Sequence, residues 1–426
     1  MRKILITISG CTLSLHFTVG PRALAIPDMH KLLLIAALVA VPAAAPFAQT
    51  VAPAAARTTA PQSAVTANQV AGHYAQLVHA GYSDSLQSAQ AMQKAINRLL
   101  AQPSAESLAA ARKAWLQARD VYGQTEAFRF YDGPIDSEDG PEGRINAWPM
   151  DESYVDYVVG NDTAGIINDR QQPITAEALS ELNEKDGEEN IATGWHAIEF
   201  LLWGQDLSAT GPGARPHTDF VNGKKPNADR RRQYLQVVTD LLIADLRSVQ
   251  AAWAPNVKGN YRAEFVAGGI ESIRKIFVGL GSLSRGELAG ERLEVALASQ
   301  DQEDEHSCFS DNTHNDALAN AKGIENVWLG QYRRLDGKLL SGPGLRDLVA
   351  AKNAPLAQET TTHIRASVAA AQQIPAPFDQ AIQGERSAPA RAKVQTVIDS
   401  LIQQSKDLAA AAQAVGIERL NIVQPE

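Results

Sequence analysis

The stretch DRRRQYLQVVTDLLIADLRSVQAAW, residues 229–253, decides the fold. Leu235, Val238, Leu242, Leu246, Val249 and Trp253 recur every three or four positions and form one apolar stripe on an otherwise polar helix. The same spacing predicts long helices at 64–102, 104–130, 187–206, 226–254, 260–298, 313–332, 342–374 and 387–415. Breakers fall between them: Pro103, Gly133-Pro134, Gly211-Pro212-Gly213, Pro255, Gly342-Pro343-Gly344, and Pro375 with Pro377. Strand-like alternation is scarce. The expected class is therefore all-α, as two tandem four-helix bundles.

An internal echo suggests duplication. EFLLWGQ at 199–205 precedes a GPG at 211–213 and a long helix, and ENVWLGQ at 325–331 precedes a GPG at 342–344 and another. Lys322 then stands where the first copy has His196, which argues for one site per chain. The reading divides the chain into a leader and linker at 1–63, a first bundle at 64–254 and a second at 255–426.

Of the 426 residues, 45% are hydrophobic and 20% charged, ordinary values for a globular protein. A net charge of −9 argues against nucleic acid as a partner, because phosphate binding needs a basic footprint. From Met29 the chain reads MHKLLLIAALVAVPAAAPFAQT, a basic start, an apolar run and small residues ending at Ala48. That layout predicts a secretory signal peptide preceded by an upstream extension, and the run is too short for a membrane span. A lipoprotein-like box at Ile8-Ser9-Gly10-Cys11 offers the alternative of a lipid anchor at the outer membrane. Both place the mature protein in the periplasm or cell envelope. QTVAPAAARTTAPQS at 49–63 reads as a flexible tether. With Cys11 removed, Cys308 stands alone and no internal disulfide can form.

GWHAIEFLLWGQD, residues 194–206, places His196 and Glu199 in a helix apolar almost all round. Such a helix is buried, and a buried carboxylate needs a partner or a proton. Three residues apart, both heads reach one point, as when bundle helices donate His and Glu to a metal. A core hydrogen-bonded pair is the alternative from these residues alone. Glu126 lies about five turns after Leu108 on the helix ARKAWLQARDVYGQTEAFRF, at the edge of the apolar stripe. It is either a further ligand or neutralised by Arg119 or Arg129. Asp132, Asp136, Glu138 and Asp139 follow in a turn-rich loop and read as solvated acids. ASQDQEDEHSCFSDNTHND, residues 298–316, packs six acids and two histidines into 19 positions. Asp301, Asp304, His306, Asp311 or His314 could ligate a hard or borderline cation, or the segment could be a polar interhelical loop. A calcium loop beginning at Asp311 fails, because its required glycine is Asp316. HExxH, GxSxG, Walker, dinucleotide and CxxCH signatures are absent from the sequence.

Gly194-Trp195-His196-Ala197-Ile198-Glu199 resembles the GxHxxE motif of the imelysin-like family. FLLWGQDLSATGPGARPHTDF and SQDQEDEHSCFSDNTHND are similar to its iron-regulated protein A branch, and the likeness spans about residues 64–420. The resemblance implies an exported protein of bacterial iron acquisition, with two four-helix bundles and a functional region around His196 and Glu199 in the cleft between them. It implies a metal ion or metal-bearing ligand, iron foremost with zinc as the alternative, and a cell-envelope uptake partner. The family has also been classed with peptidases, which makes a metallopeptidase using the HxxE pair the second reading. The missing second histidine at helical spacing departs from zincin practice. Two side chains are too few for a stably held transition metal, so the expected ligand set is His196, Glu199, Glu126, Asp304 and His306.

Overall fold

The computed structural model describes residues 65–424. The expected signal peptide, the tether and Cys11 lie outside them. Helix α1 (Ala67–Ala101) begins with a reciprocal cap, in which Thr66 Oγ1 accepts from the Gln69 amide while the Gln69 side chain accepts from the Thr66 amide. Ser104 and Ser107 open α2 (Ala105–Gly123) in the same way, and its end tightens into the 3-10 turn Gln124–Phe128. Three short helices follow, α3 (Glu142–Asn146), α4 (Glu152–Val155) and α5 (Ala176–Leu182), none of them expected from periodicity. Helix α6 (Gly194–Trp203) is shorter than the expected 187–206. The stripe at 229–253 lies in α7 (Ala228–Ala252), with Leu235, Val238, Leu242, Leu246 and Val249 all buried.

The expected helix at 260–298 is broken at Gly268-Gly269 into α8 (Tyr261–Ala267) and α9 (Ile270–Ser282). It continues as a π-helical stretch, Leu283–Glu294, and ends in α10 (Val295–Ser299). Helix α11 (Thr313–Leu329) stops at Gly330, and the chain turns back as an antiparallel hairpin of β1 (Gln331–Arg333) and β2 (Leu339–Ser341). Asn353, capping the Leu356 amide, divides the expected 342–374 helix into α12 (Leu345–Ala350) and α13 (Ala354–Ala371). The described chain closes with α14 (Phe378–Ile382) and α15 (Pro389–Ala414). The class is all-α, with two three-residue strands among the described residues.

Packing joins these helices in two rings. In the first, α1 lies against α2 and α7, and α6 closes the circuit against the same two. In the second, α11 and α15 each pack on α13 and on the π-helical stretch. The connectivity corrects the pairing of EFLLWGQ with ENVWLGQ. Glu199 sits on the third helix of its ring and Glu325 on the second of its own, so the segments are not equivalent and Lys322 is not the counterpart of His196. Their likeness reflects two buried helices that each end at a glycine.

Two polar devices hold the irregular parts. Asp156, fully buried, accepts from Arg215 at 2.6 Å and from Arg231 at 2.6 and 2.8 Å, which pins the 204–220 segment to α7. The hairpin is tied to α1, where His73 Nε2 lies 2.9 Å from the Gly330 carbonyl and Arg334 bonds Asp84 at 2.6 and 2.9 Å. Gly342 makes that contact possible, since a Cβ there would lie 2.5 Å from His73 Nδ1. No helix among the described residues is long and apolar enough to cross a membrane.

Removing one partner of a buried ion pair leaves an uncompensated charge, which costs about 3–5 kcal/mol. Asp156→Ala is expected to lose that much in urea denaturation, and Asp156→Ala with Arg231→Met to lose less than the single variant. Equal stability of wild type and Asp156→Ala would show that the network is dispensable.

Candidate functional site

Helix α6 is buried at every position from Gly194 to Trp203. Its polar ends are satisfied by neighbours rather than water. Arg112 Nε donates to the Leu202 carbonyl at 3.0 Å, the Arg215 amide to the Trp203 carbonyl at 2.7 Å, and the Trp115 indole to the Trp195 carbonyl at 3.1 Å. At the other end Gly194 has φ 84°, and a Cβ would stand 2.5 Å from the Ile145 carbonyl oxygen. The first letter of GxHxxE is therefore a packing requirement: α6 can start against α3 only without a side chain there.

His196 and Glu199 meet as the spacing predicts, with His196 Nδ1 2.9 Å from Glu199 Oε2. The other oxygen, Oε1, accepts from the Ser310 amide at 2.9 Å and its hydroxyl at 2.6 Å. His306 arrives from the segment between α10 and α11, its ring centroid 4.9 Å from that of His196. Its Nδ1 lies 2.8 Å from Asp316 Oδ2, which also accepts from the Ser307 hydroxyl at 2.6 Å. Arg119 of α2 stands between the rings. Its Nη2 is 3.3 Å from His196 Nε2 and 3.3 Å from both nitrogens of His306, its Nε donates to Asp316 Oδ1 at 3.2 Å, and its Nη1 donates to Asn146.

These contacts fix the protons. A guanidinium only donates, so His196 Nε2 must be an acceptor and the ring hydrogen belongs on Nδ1, facing Glu199. In His306 the short bond to Asp316 takes the Nδ1 hydrogen and again leaves Nε2 bare. Burial lowers both imidazoles, His196 well below the ordinary range with Arg119 adding to it, and His306 to about 4 with Arg292 adding. Burial pushes the Glu199 carboxyl up to about 8, with Ser310 and Arg119 pulling it back. Three donors on its two oxygens favour the carboxylate and oppose that rise. Asp316 would also be raised by burial, yet Arg119, His306 and Ser307 hold it far below the usual carboxylate range. The outcome is two neutral imidazoles, each oriented by a buried carboxylate, with their free Nε2 atoms turned toward one guanidinium. Carboxylate–histidine pairs of this kind orient metal-binding imidazoles.

Of the expected ligands the structure brings together His196, Glu199 and His306. Glu126 belongs to another cluster, in the turn Gln124–Phe128, where it bonds Arg129 and Arg292 at 2.7 Å each. Burial alone would raise Glu126, but these guanidinia hold it far below the carboxylate range. Arg129 is thus its partner, as one reading held, whereas Arg119 pairs with Asp316. Asp304 is half-buried at the end of the 3-10 turn Gln302–Asp304. Periodicity alone could have flagged Arg119, which lies four residues after Trp115 on the buried stripe of α2. Ser310 and Asn146 carry no such signal.

A family model described as Imelysin (Peptidase_M75) matches residues 78–408 of the chain. Iron-regulated protein A of Synechococcus elongatus is 26% identical over 346 residues, covering 79% of this chain and 84% of that protein. A crystal structure from Parabacteroides distasonis, described as an iron-regulated protein A precursor, superposes with a TM-score of 0.63 at 18% identity. That likeness covers 83% of this chain and 97% of the other, and it shows the shared fold.

Two substitutions test the geometry. Gly194→Ala should cost at least about 1–3 kcal/mol, because it forces an L-residue to positive φ against a carbonyl. Asp316→Asn should cost about 3–5 kcal/mol at pH 7 by leaving Arg119 without its charge partner. Because the folded-state pKa of Asp316 is depressed, its contribution is complete above the unfolded value near about 4 and is lost as the pH falls below it. The stability gap between wild type and Asp316→Asn, measured by denaturant melts, should therefore narrow from pH 7 to pH 3. A constant gap would mean that the carboxylate charge is irrelevant.

Proposed function

The chain belongs to the Imelysin family, and from that premise we propose that it is an exported iron-acquisition protein of the cell envelope that binds a metal-bearing ligand. His196 and His306 are the proposed ligands, Glu199 and Asp316 orient them, and Arg119 recognises the anionic part of the cargo. The observation carrying this reading is the convergence of two neutral imidazoles on Arg119, each with its Nδ1 tied to a buried carboxylate.

The donor chemistry fits. Imidazole nitrogen suits iron and zinc alike, and a neutral ring with its second nitrogen bonded to a carboxylate is a stronger donor. Arg119 pairs with Asp316 alone, whereas Glu199 has only His196 and Ser310 beside it and is pushed up to about 8 by burial, so a cation nearby would favour its ionised form. Arg119 favours a metal carried by an anionic ligand over a bare ion, since a bare cation beside a guanidinium is repelled whereas a bridging oxygen anion neutralises both. The iron-regulated name of the Synechococcus relative supports iron as the metal. We further propose that the site opens between two helical halves that divide near residue 254, and that an envelope uptake partner receives the cargo.

Titration calorimetry with ferric citrate, and separately with ferrous iron and zinc, tests the reading. One equivalent of ferric citrate should bind, more tightly than either bare ion, with His196→Ala and His306→Ala weakening it most and Glu199→Ala weakening it about 10–100-fold through the orientation of His196. Unchanged affinity in all three variants would reduce the constellation to core packing. Polypeptide hydrolysis lost in Glu199→Gln would replace this reading with the metallopeptidase one.

A further inference from the structure

Among the described residues, many buried acids have a guanidinium beside them: Glu126 has Arg129 and Arg292, Asp156 has Arg215 and Arg231, and Asp316 has Arg119. Glu199 and Asp407 have an imidazole instead, from His196 and His363. Four have neither. Asp206 follows the end of α6, Glu305 and Asp311 flank the segment that carries His306, and Asp379 lies on α14. Their exposures are 2%, 0%, 5% and 1% in that order. One oxygen each of Asp206, Asp311 and Asp379 lies within 4.8 Å of the others. Glu305 faces Asp379 closely enough to share a proton with it. Asp206 Oδ2 and both carboxyl oxygens of Glu305, Asp311 and Asp379 accept no hydrogen bond from any amide, hydroxyl or basic group, so their polar neighbours are one another. None of the four forms an ion pair with a lysine, arginine or histidine among the described residues.

We infer that Asp206, Asp311 and Asp379, with Glu305 behind them, form an oxygen-only site for a hard divalent cation of the calcium class. Unpartnered buried carboxylates from three separate segments would repel one another, and one cation at their centre satisfies all of them. The donor set selects the ion class, because carboxylate oxygens without nitrogen or sulfur suit calcium, magnesium or manganese rather than zinc or copper. Carboxylates able to bind through one or two oxygens, in irregular geometry and away from solvent, suit calcium better than magnesium, which demands a regular octahedron and keeps its waters. On one side of the cluster Asp206 also lines a cavity of about 440 Å³ with Gly204, Arg215 and Tyr157.

The alternative to a cation is protons. Burial raises Asp206 to about 6, with Asp379 adding to it, Asp311 to about 8 with Asp379 and Asp206, and Glu305 to about 11 with Asp379. A cation among them would release the proton that Asp311 otherwise holds at neutral pH. Its structural effect follows from the chain. Asp311 adjoins Ser310, which bonds Glu199, and Glu305 adjoins His306, so the ion would clamp the segment that builds one wall of the His196 site to α14. The inference stands independently of what the His196 site binds.

The test uses the full chain stripped with EDTA and the chloride salts of calcium, magnesium and manganese. Calcium should raise the melting temperature in a concentration-dependent way at pH 7.5, as ligand binding to the folded state requires, with magnesium acting more weakly. Equilibrium dialysis should show one calcium per chain. Asp311→Asn and Asp379→Asn should each weaken binding at least about tenfold, and because each removes a repelling charge, both should melt no lower than wild type in EDTA. A wild-type chain that neither binds nor is stabilised by millimolar calcium overturns the site. So do calcium shifts that are equal in wild type and both variants. Should a variant fail to fold, dialysis of the wild type alone decides.

Discussion

A buried guanidinium cannot lose its charge, so everything around Arg119 must be arranged to accept hydrogen bonds from it. At 1% exposure it meets Asn146, Asp316, His196 and His306, which come from α3, α11, α6 and the segment before α11. The cost of desolvating that charge is offset only while all four stay in place. Arg119 therefore does more than neutralise a carboxylate. It sets the tautomer of His196, as its partner Asp316 does for His306, and ties the two rings of helices through one planar group.

The same economy of partners sorts the other buried acids. Glu126 joins Arg129 and Arg292, and Arg292 reaches on to Glu287 at 2.6 Å and Asn320 at 2.7 Å, linking α2's terminal turn, the π-helical stretch and α11. This lattice needs no ligand to be stable. The carboxylates of Asp206, Glu305, Asp311 and Asp379 are the contrast, since their neighbours are chiefly one another. Acid count along the sequence could not distinguish these environments; apart from Arg129, three residues after Glu126, the arginines that do so lie far away in the chain.

Helical periodicity was the most legible layer, because burial of one face imposes it directly. α1, α2, α7 and α15 fall close to their expected spans. What escaped were elements specified by tertiary contact. Short helices α3 to α5 sit in a stretch without a stripe, and the hairpin at 331–341 is stabilised by α1 rather than by strand-forming sequence. In the site, the i,i+3 spacing of His196 and Glu199 was readable, as was the concentration of His306 among acids. Asp316 was visible only as a member of that cluster, and Ser310 not at all. The repeat misled because EFLLWGQ and ENVWLGQ share the residue types that any buried helix ending at glycine attracts, whatever its place in a ring.

The hairpin also has a consequence for the order of folding. Its contacts with α1 join residues 250 and 257 positions apart, Arg334 to Asp84 and His73 to Gly330. During synthesis α1 is complete long before its partner exists, so its polar flank stays open until the chain has grown past the 330s. Loop closure on that scale is slow, and the ends of the closure lie in different helical rings. The first ring can collapse early around its own apolar faces, but its registration against the second waits for the hairpin. Full native order is thus a late event, reached only after most of the sequence has been made.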